Sequence, residues 1–82
     1  MEMSNNLEKE FQNFMQLKLL SELTIIKEKI KLFQKKYNLK FNEFQKKVKE
    51  GEEKFDEWDD YLEWKAYEER AKELKGLIRE YN

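Results

Sequence analysis

Four carboxylates in the second half of the sequence have the spacing that a metal site on a helix requires. Steps of three and four residues place them on one face of a helix: Glu53, Asp56, Asp60 and Glu63. Such oxygens bind Mg²⁺ or Ca²⁺, but the sequence lacks the Asp/Asn-Gly pattern of an EF-hand loop. It also contains no His, which the Glu-x-x-His pairs of di-iron bundles need. We therefore predict no metal site and no cofactor.

The remaining reactive side chains argue against catalysis. The sequence of 82 residues has neither Cys nor His, so it offers no thiol nucleophile and no imidazole base. Its hydroxyl groups outside tyrosine are limited to Ser4, Ser21 and Thr24. We predict that the protein is not an enzyme.

The acidic stretch also carries aromatic residues, and this combination is typical of a protein-binding surface. Residues 50–69 hold ten acidic residues against two lysines. Aromatic anchors supply much of the energy of an interface, and flanking carboxylates steer a basic protein toward it. The predicted partner-binding face consists of Phe55, Trp58, Asp59, Asp60, Tyr61, Glu63 and Trp64.

A basic stretch precedes the acidic one, so the net charge of −1 hides two opposed blocks. The range Lys27–Lys49 contains nine lysines against two glutamates. Three interpretations are open. The blocks face each other across a helical hairpin or dimer and set its register, the lysines contact nucleic-acid phosphates, or the acidic block docks on a basic protein. The basic stretch contains no Arg, the usual reader of base edges, which argues against nucleic acid as the partner.

Apolar residues recur at helical spacing through most of the chain. The pattern predicts an all-α fold with helices at about 5–37, 41–50 and 57–81. The first is expected to begin at an N-cap in the range Ser4–Asn6. We expect the long first helix, the short middle helix and the third helix to form a helical hairpin or three-helix arrangement.

The junction between the first two helices has two interpretations. Asn38 tolerates the left-handed conformation that ends a helix. Lys40 is then a candidate N-cap, with Glu43 at N3 of the next helix. However, the tetrapeptide Phe-Gln-Lys-Lys begins at Phe33 and again at Phe44, eleven residues later. Eleven residues make three helical turns, so an unbroken helix is the alternative.

The first predicted helix has more apolar surface than one neighbouring helix covers. A helix that is apolar on several faces is usually buried on several faces. Its length of about 48 Å also exceeds what a compact chain of this size, with a radius of gyration of about 12 Å, accommodates. We predict a homo-oligomer, most simply a dimer, with an interface formed by Phe11, Phe14, Leu17, Leu20, Ile25 and Leu32.

The beginning of the sequence predicts a cytoplasmic protein without membrane contact. The first ten residues are acidic, where a secretory signal is basic. The longest stretch without a charged residue, 11–17, has seven residues, far fewer than the roughly 20 that span a bilayer. We expect one domain over residues 1–82.

The order of these features resembles small helical antitoxins of prokaryotic type II toxin–antitoxin modules. The resemblance runs from about residue 17 to 77. It includes the turn YNLKFNEF at 37–44, where Asn38 and Lys40 replace the family's glycine and capping hydroxyl, and the segment DDYLEW at 59–64. It implies a non-catalytic protein that binds and neutralises a small cognate toxin, such as a ribonuclease. The alternatives are a nucleic-acid-associated helical dimer that uses the basic stretch, and a phage-type inhibitor protein.

Overall fold

The computed structural model of the chain describes residues 2–51 and 54–81, which form three helices. They are α1 (Glu2–Tyr37), α2 (Phe41–Glu50) and α3 (Phe55–Glu80). Neither described segment contains a β-strand. Over these residues, none of the helices has the continuous apolar length that crossing a membrane requires. The predicted all-α class and the order of a long, a short and a long helix are confirmed.

The chain leaves α1 through Asn38. This residue has a φ of 54°, the left-handed conformation, which a right-handed helix cannot continue through. The predicted break is therefore confirmed, and the alternative of an unbroken helix is wrong. At its other end α1 begins at Glu2, so the range Ser4–Asn6 lies inside the helix rather than capping it.

The start of α2 is stabilised by a backbone-to-side-chain hydrogen bond. The backbone N–H of Lys40 donates to Oε1 of Glu43 at 3.0 Å. A lysine side chain has no acceptor, so this residue makes only one half of a capping box. Leu39 packs against the buried Phe44 in one cluster, the pairing expected of a hydrophobic staple.

The third helix begins about two residues earlier than predicted. Its first residue is Phe55, and Lys54 occupies the N-cap in an extended conformation. Asp56 and Glu57 therefore lie in the first turn, where carboxylates interact favourably with the positive end of the helix dipole.

The direction of α3 is opposite to that of α1. Arg70 pairs with Glu22, whereas Lys36, further along α1, pairs with Asp60, nearer the start of α3. Residues later in α1 therefore contact residues earlier in α3. The two long helices form an antiparallel hairpin.

Two clusters of buried side chains hold the helices together. The hairpin core joins the middle of α1 to the C-terminal half of α3 and consists of Leu19, Leu23, Ile26, Ala71 and Leu74. The aromatic core joins all three helices and consists of Phe44, Tyr61 and Trp64, surrounded by Phe33, Tyr37, Leu39, Phe41 and Val48. Ile30 packs against both clusters, so the interior is continuous along the hairpin.

The molecule is elongated because α1 extends beyond α3. Its dimensions are 64 × 17 × 17 Å, and its radius of gyration is 17.8 Å. Ile78, near the end of α3, packs on the hairpin core, whose first residue on α1 is Leu19. Every side chain from Asn6 to Phe14, earlier in α1, is exposed. The N-terminal part of α1 therefore projects past the rest of the protein.

Candidate protein-binding surface

Two of the seven residues predicted to bind a partner belong to the core. Tyr61 is 2% exposed, and Trp64 is fully buried. The indole of Trp64 stacks on Phe33 and Phe44, with ring centroids 5.5 and 5.2 Å apart, and its Nε1–H donates to Glu68 at 3.1 Å. The structure corrects the prediction at both residues, because their side of α3 faces the other two helices.

Asp60, a third residue of the predicted face, forms hydrogen bonds with α1 inside the molecule. Its Oδ2 accepts a hydrogen bond from Nζ of Lys36 at 2.6 Å and another from the hydroxyl of Tyr37. Burial raises the pKa of Asp60, but these two hydrogen bonds outweigh burial and hold the pKa below its usual value. Burial and the same carboxylate raise the pKa of Tyr37. Asp60 therefore ties the start of α3 to the end of α1.

The opposite side of α3 carries an exposed apolar row. Phe55 is 81% exposed, Leu62 is 48% exposed and Trp58 is 45% exposed. Their spacing of three and four residues places them on one side of the helix, and we call them the outer row. The prediction omits Leu62, although its spacing from the two aromatic residues was a signal for it in the sequence.

Exposed carboxylates lie on one flank of α3, between the outer row and the side that faces α1. Asp56, Asp59 and Glu63 are all exposed, and Glu63 accepts a hydrogen bond from the hydroxyl of Tyr67 at 2.8 Å. The predicted surface thus keeps Asp59 and Glu63 together with the two exposed aromatic residues. Its arrangement of apolar side chains flanked by acids suits a basic protein partner.

A cleft of about 410 Å³ lies beside the outer row, between the end of α2 and the start of α3. The apolar part of its lining consists of Val48, Phe55 and Trp58. Charged side chains, such as that of Lys49, also line the cleft. The ring of Trp58 also packs on Tyr61, with centroids 5.4 Å apart. A cleft of this size can receive a side chain of a bound protein.

The basic and acidic blocks face each other at two places. Lys36 pairs with Asp60 at 2.6 Å, and Lys47 pairs with Glu57 at 3.4 Å. One pair joins α1 to α3, and the other joins α2 to α3. These contacts favour the interpretation in which opposite charges set the register of packed helices.

A third ionic contact between helices lies near the middle of the hairpin and joins α1 to α3. Nε and Nη2 of Arg70 donate to the two carboxylate oxygens of Glu22 at 2.6 and 2.9 Å, a bidentate geometry. Nη1 of Arg70 also donates to Glu73 at 2.9 Å. The hydrogen bonding from Arg70 holds the pKa of Glu22 below its usual value.

All six residues of the predicted oligomer interface lie on the surface of the molecule. Their exposed fractions range from 40% for Leu20 to 66% for Leu32. The others are Phe11, Phe14, Leu17 and Ile25. Leu7, which the prediction omits, is 63% exposed on the same helix. Self-association through these side chains stays a prediction.

Of the four carboxylates considered as metal ligands, three lie within the described residues. Within residues 2–51 and 54–81, no three acidic, Cys or His side chains are placed to hold a metal ion. Asp60 is engaged by α1, as described above, and Glu53 lies outside the described residues.

Comparison with known proteins identifies a family. No curated protein and no solved structure matches the chain. A family model described as the uncharacterized protein MJ0235 family matches residues 1–82. Because this match extends over all 82 residues, the chain belongs to the MJ0235 family.

Proposed function

We propose that the chain is a non-catalytic protein-binding module that neutralises a small basic protein by covering its surface, as an antitoxin covers a toxin such as a ribonuclease. The observation that carries this proposal is the outer row. Three large apolar side chains are exposed to solvent on one side of α3, and exposed carboxylates lie next to them on the same helix. Soluble proteins expose such patches mainly where they bind something.

The spacing of the outer row fits one known mode of recognition. Phe55, Trp58 and Leu62 occupy positions i, i+3 and i+7 of a helix, which is the pattern of a helix that lays its apolar side into a groove. Each exposed side chain gains about 25 cal/mol for every Å² of apolar surface that a partner covers. The neighbouring Asp59 and Glu63 select a partner whose groove has a basic rim.

The fold holds this surface in place before a partner arrives. Tyr61 and Trp64 anchor the opposite side of the same helical turns in the aromatic core, and Asp60 is tied to α1 through Lys36. A helix that is already ordered loses little conformational entropy when it binds. The buried residues of the predicted face thus serve binding indirectly, by positioning the outer row.

We also propose that the protein acts in the cytoplasm and that it self-associates through α1. The support for self-association is the row of exposed apolar side chains along that helix, among them Phe11, Phe14 and Leu32, which are 61%, 62% and 66% exposed.

The test uses, as the candidate toxin, the product of the open reading frame adjacent to that of this chain. We expect wild-type chain to bind it in isothermal titration calorimetry and to restore the growth of cells that express it. The double substitution Trp58→Ala with Leu62→Ala should weaken binding by about 10-fold to 100-fold, since it removes two central anchors. Tyr81→Ala is the matched control, because Tyr81 is 36% exposed and directly follows the far end of α3 as its C-cap.

Circular dichroism separates loss of binding from loss of fold. The double variant should keep the helical signal of the wild type, because both side chains are about half exposed. Unchanged affinity in the double variant, or a neighbouring product that does not bind the wild type, would reject the proposed function.

A further inference from the structure

The exposed apolar side chains of α1 form one long stripe. Its members are Leu7, Phe11, Phe14, Ile25 and Leu32, which are 57–66% exposed. At 100° per residue, they lie about a third of a turn away from the face that packs on α3. We call them the α1 stripe, and it spans 25 residues, or about 37 Å.

The α1 stripe has the heptad spacing of a coiled coil, interrupted by polar residues. Counting from Leu7, positions advance by alternating steps of four and three, as the a and d positions of a coiled coil do. Lys18, Ser21 and Glu28 occupy three of these positions in the middle and C-terminal part. Polar residues at such positions select one register and orientation at a cost in stability.

A parallel pair of α1 helices would bring like charges together. In that arrangement each a or d residue faces its own copy, so Lys18 would face Lys18 and Glu28 would face Glu28. Lys31 would also lie beside Lys36 of the second copy, across the e and g positions. Like charges at such positions are unfavourable and work against parallel pairing.

An antiparallel pair removes these conflicts. Each a residue then faces a d residue of the other copy: Leu32 faces Leu7, Ile25 faces Phe14, and Lys18 faces Ser21. Each of these contacts occurs twice because of the twofold symmetry.

The remaining core pair sets Phe11 against Glu28 of the other copy. The carboxylate of Glu28 is paired with Lys31 at 3.2 Å. The methylene groups of Glu28 are thus left to contact the aromatic ring.

The flanking charges of α1 are complementary in the antiparallel direction. Residues 2–22 hold four glutamates against two lysines, and residues 23–37 hold five lysines against one glutamate. In the antiparallel register Glu8 faces Lys29 of the second copy, and Glu10 faces Lys31. The pairing therefore places the acidic half of each helix against the basic half of the other.

We propose that a second copy of this chain covers the α1 stripe in an antiparallel orientation, with Leu7 against Leu32 of the second copy. This inference rests on the self-association proposed above and adds its direction and register. The stripe and the α3-packing face are different sides of α1, so α3 stays in place in both copies. The dimer then carries one outer row from each copy.

Distance measurement between spin labels tests the direction. The chain has no Cys, so Lys35→Cys on the exposed side of α1 gives one label per copy. In the antiparallel register the two labels are separated by 31 helical residues, or about 46 Å, which double electron–electron resonance resolves. A separation within about 20 Å indicates parallel helices and would overturn the inference while leaving self-association intact. A monomer without dipolar coupling would overturn both.

Exchange of charges tests the register independently. Glu10→Lys and Lys31→Glu should each weaken dimerisation by about fivefold or more in sedimentation equilibrium, because each places like charges together twice. The variant with both substitutions should dimerise more tightly than either single variant, because it restores an attractive pair between the two copies, although the pairing of Glu28 with Lys31 within each copy stays lost. Lys46→Glu on α2 is the control and should leave dimerisation unchanged. Single substitutions without effect, or a double variant weaker than either single one, would reject the register.

Discussion

The carboxylate of Asp60 accepts hydrogen bonds from two side chains of α1, and it is the point at which the acidic block meets the end of that helix. Its position in the sequence, among other acids and aromatics, made it a candidate for partner contact. In the structure, the Asp60 carboxylate instead bonds to α1 within the hairpin. A substitution that removes one member of such a hydrogen-bonded group leaves the remaining members without a partner, which lowers the free energy of unfolding.

We expect stability to fall as acid protonates Asp60 and Glu22. Both carboxyls have a native pKa below the usual value, so the unfolded chain binds more protons than the folded chain at acidic pH. Their contribution is complete above the unfolded pKa of about 4 and is lost as the pH falls through the lower native pKa. Thermal denaturation followed by circular dichroism from about pH 7 to about pH 2 measures this loss.

The double variant Glu22→Gln with Asp60→Asn provides the control for this prediction. It should be less stable at neutral pH and should lose much of the pH dependence. A variant that retains the full pH dependence of the wild type would show that other carboxyls are responsible.

Asn38 gives a second prediction at the residue scale. Its φ of 54° is unfavourable by about 1–2 kcal/mol for a residue with an ordinary Cβ, whereas glycine adopts it freely. We expect Asn38→Ala to lower the free energy of unfolding by about 1 kcal/mol and Asn38→Gly to preserve or raise it. Urea denaturation measures both, and equal midpoints for the alanine variant and the wild type would contradict the argument.

At the scale of elements, α3 presents two aromatic faces with different tasks. Tyr61 and Trp64 face inward, and Trp58 faces outward with Phe55. Burial of one face fixes the helix, and exposure of the other leaves it available for contact. Substitution of the two tryptophans therefore compares how much the buried face and the exposed face of the same helix contribute to stability.

We expect the two tryptophans to differ strongly in their effect on stability. Trp64→Ala should lower the free energy of unfolding by about 3–5 kcal/mol, because it empties a buried site in the aromatic core. Trp58→Ala should cost less than about 1 kcal/mol, since the side chain is 45% exposed. Chemical denaturation gives both values. If Trp64→Ala does not fold, Trp64→Phe should show a smaller loss of the same sign, and equal losses at both positions would contradict the assigned faces.

At the scale of the whole molecule, the lysines of the basic stretch do not form one face. Lys36 and Lys47 are paired with α3, and Lys29 lies over the ring of Tyr67 at 5.2 Å. At 100° per residue, Lys27 points away from Lys29 on α1. The positive charge is thus partly neutralised and spread around the hairpin.

We therefore expect only weak binding to nucleic acid. Labelled duplex DNA and single-stranded RNA, titrated by fluorescence anisotropy at low and moderate salt, should give a salt dependence equivalent to fewer than about two phosphate contacts. Binding that falls steeply with salt, with a slope of several phosphates, would favour the nucleic-acid alternative. The substitution of Lys27 by Glu should then reduce the slope by about one phosphate contact, and it serves as the control.

The elongated shape follows from helix lengths that are visible in the sequence. A helix of 36 residues is about 54 Å long, whereas α3 has 26 residues and α2 is short. The excess of α1 therefore had to project from the hairpin. The side of α1 that packs inward follows the same helical period, because its core residues recur at steps of three and four from Leu19 to Tyr37.

The sequence by itself determined the helical class and the absence of Cys and His chemistry, because these depend on apolar periodicity and on side-chain inventory. At Asn38 the sequence left both a break and an unbroken helix open, and the left-handed conformation of this residue in the structure decided for the break. Only the tertiary structure decided which aromatic face of α3 is buried. Periodicity defines faces relative to the axis of one helix, and two faces of α3 carry large apolar side chains, with Trp64 on one and Trp58 on the other. The choice between them depends on Phe33, Tyr37 and Phe44, which lie far away in sequence and pack on only one side.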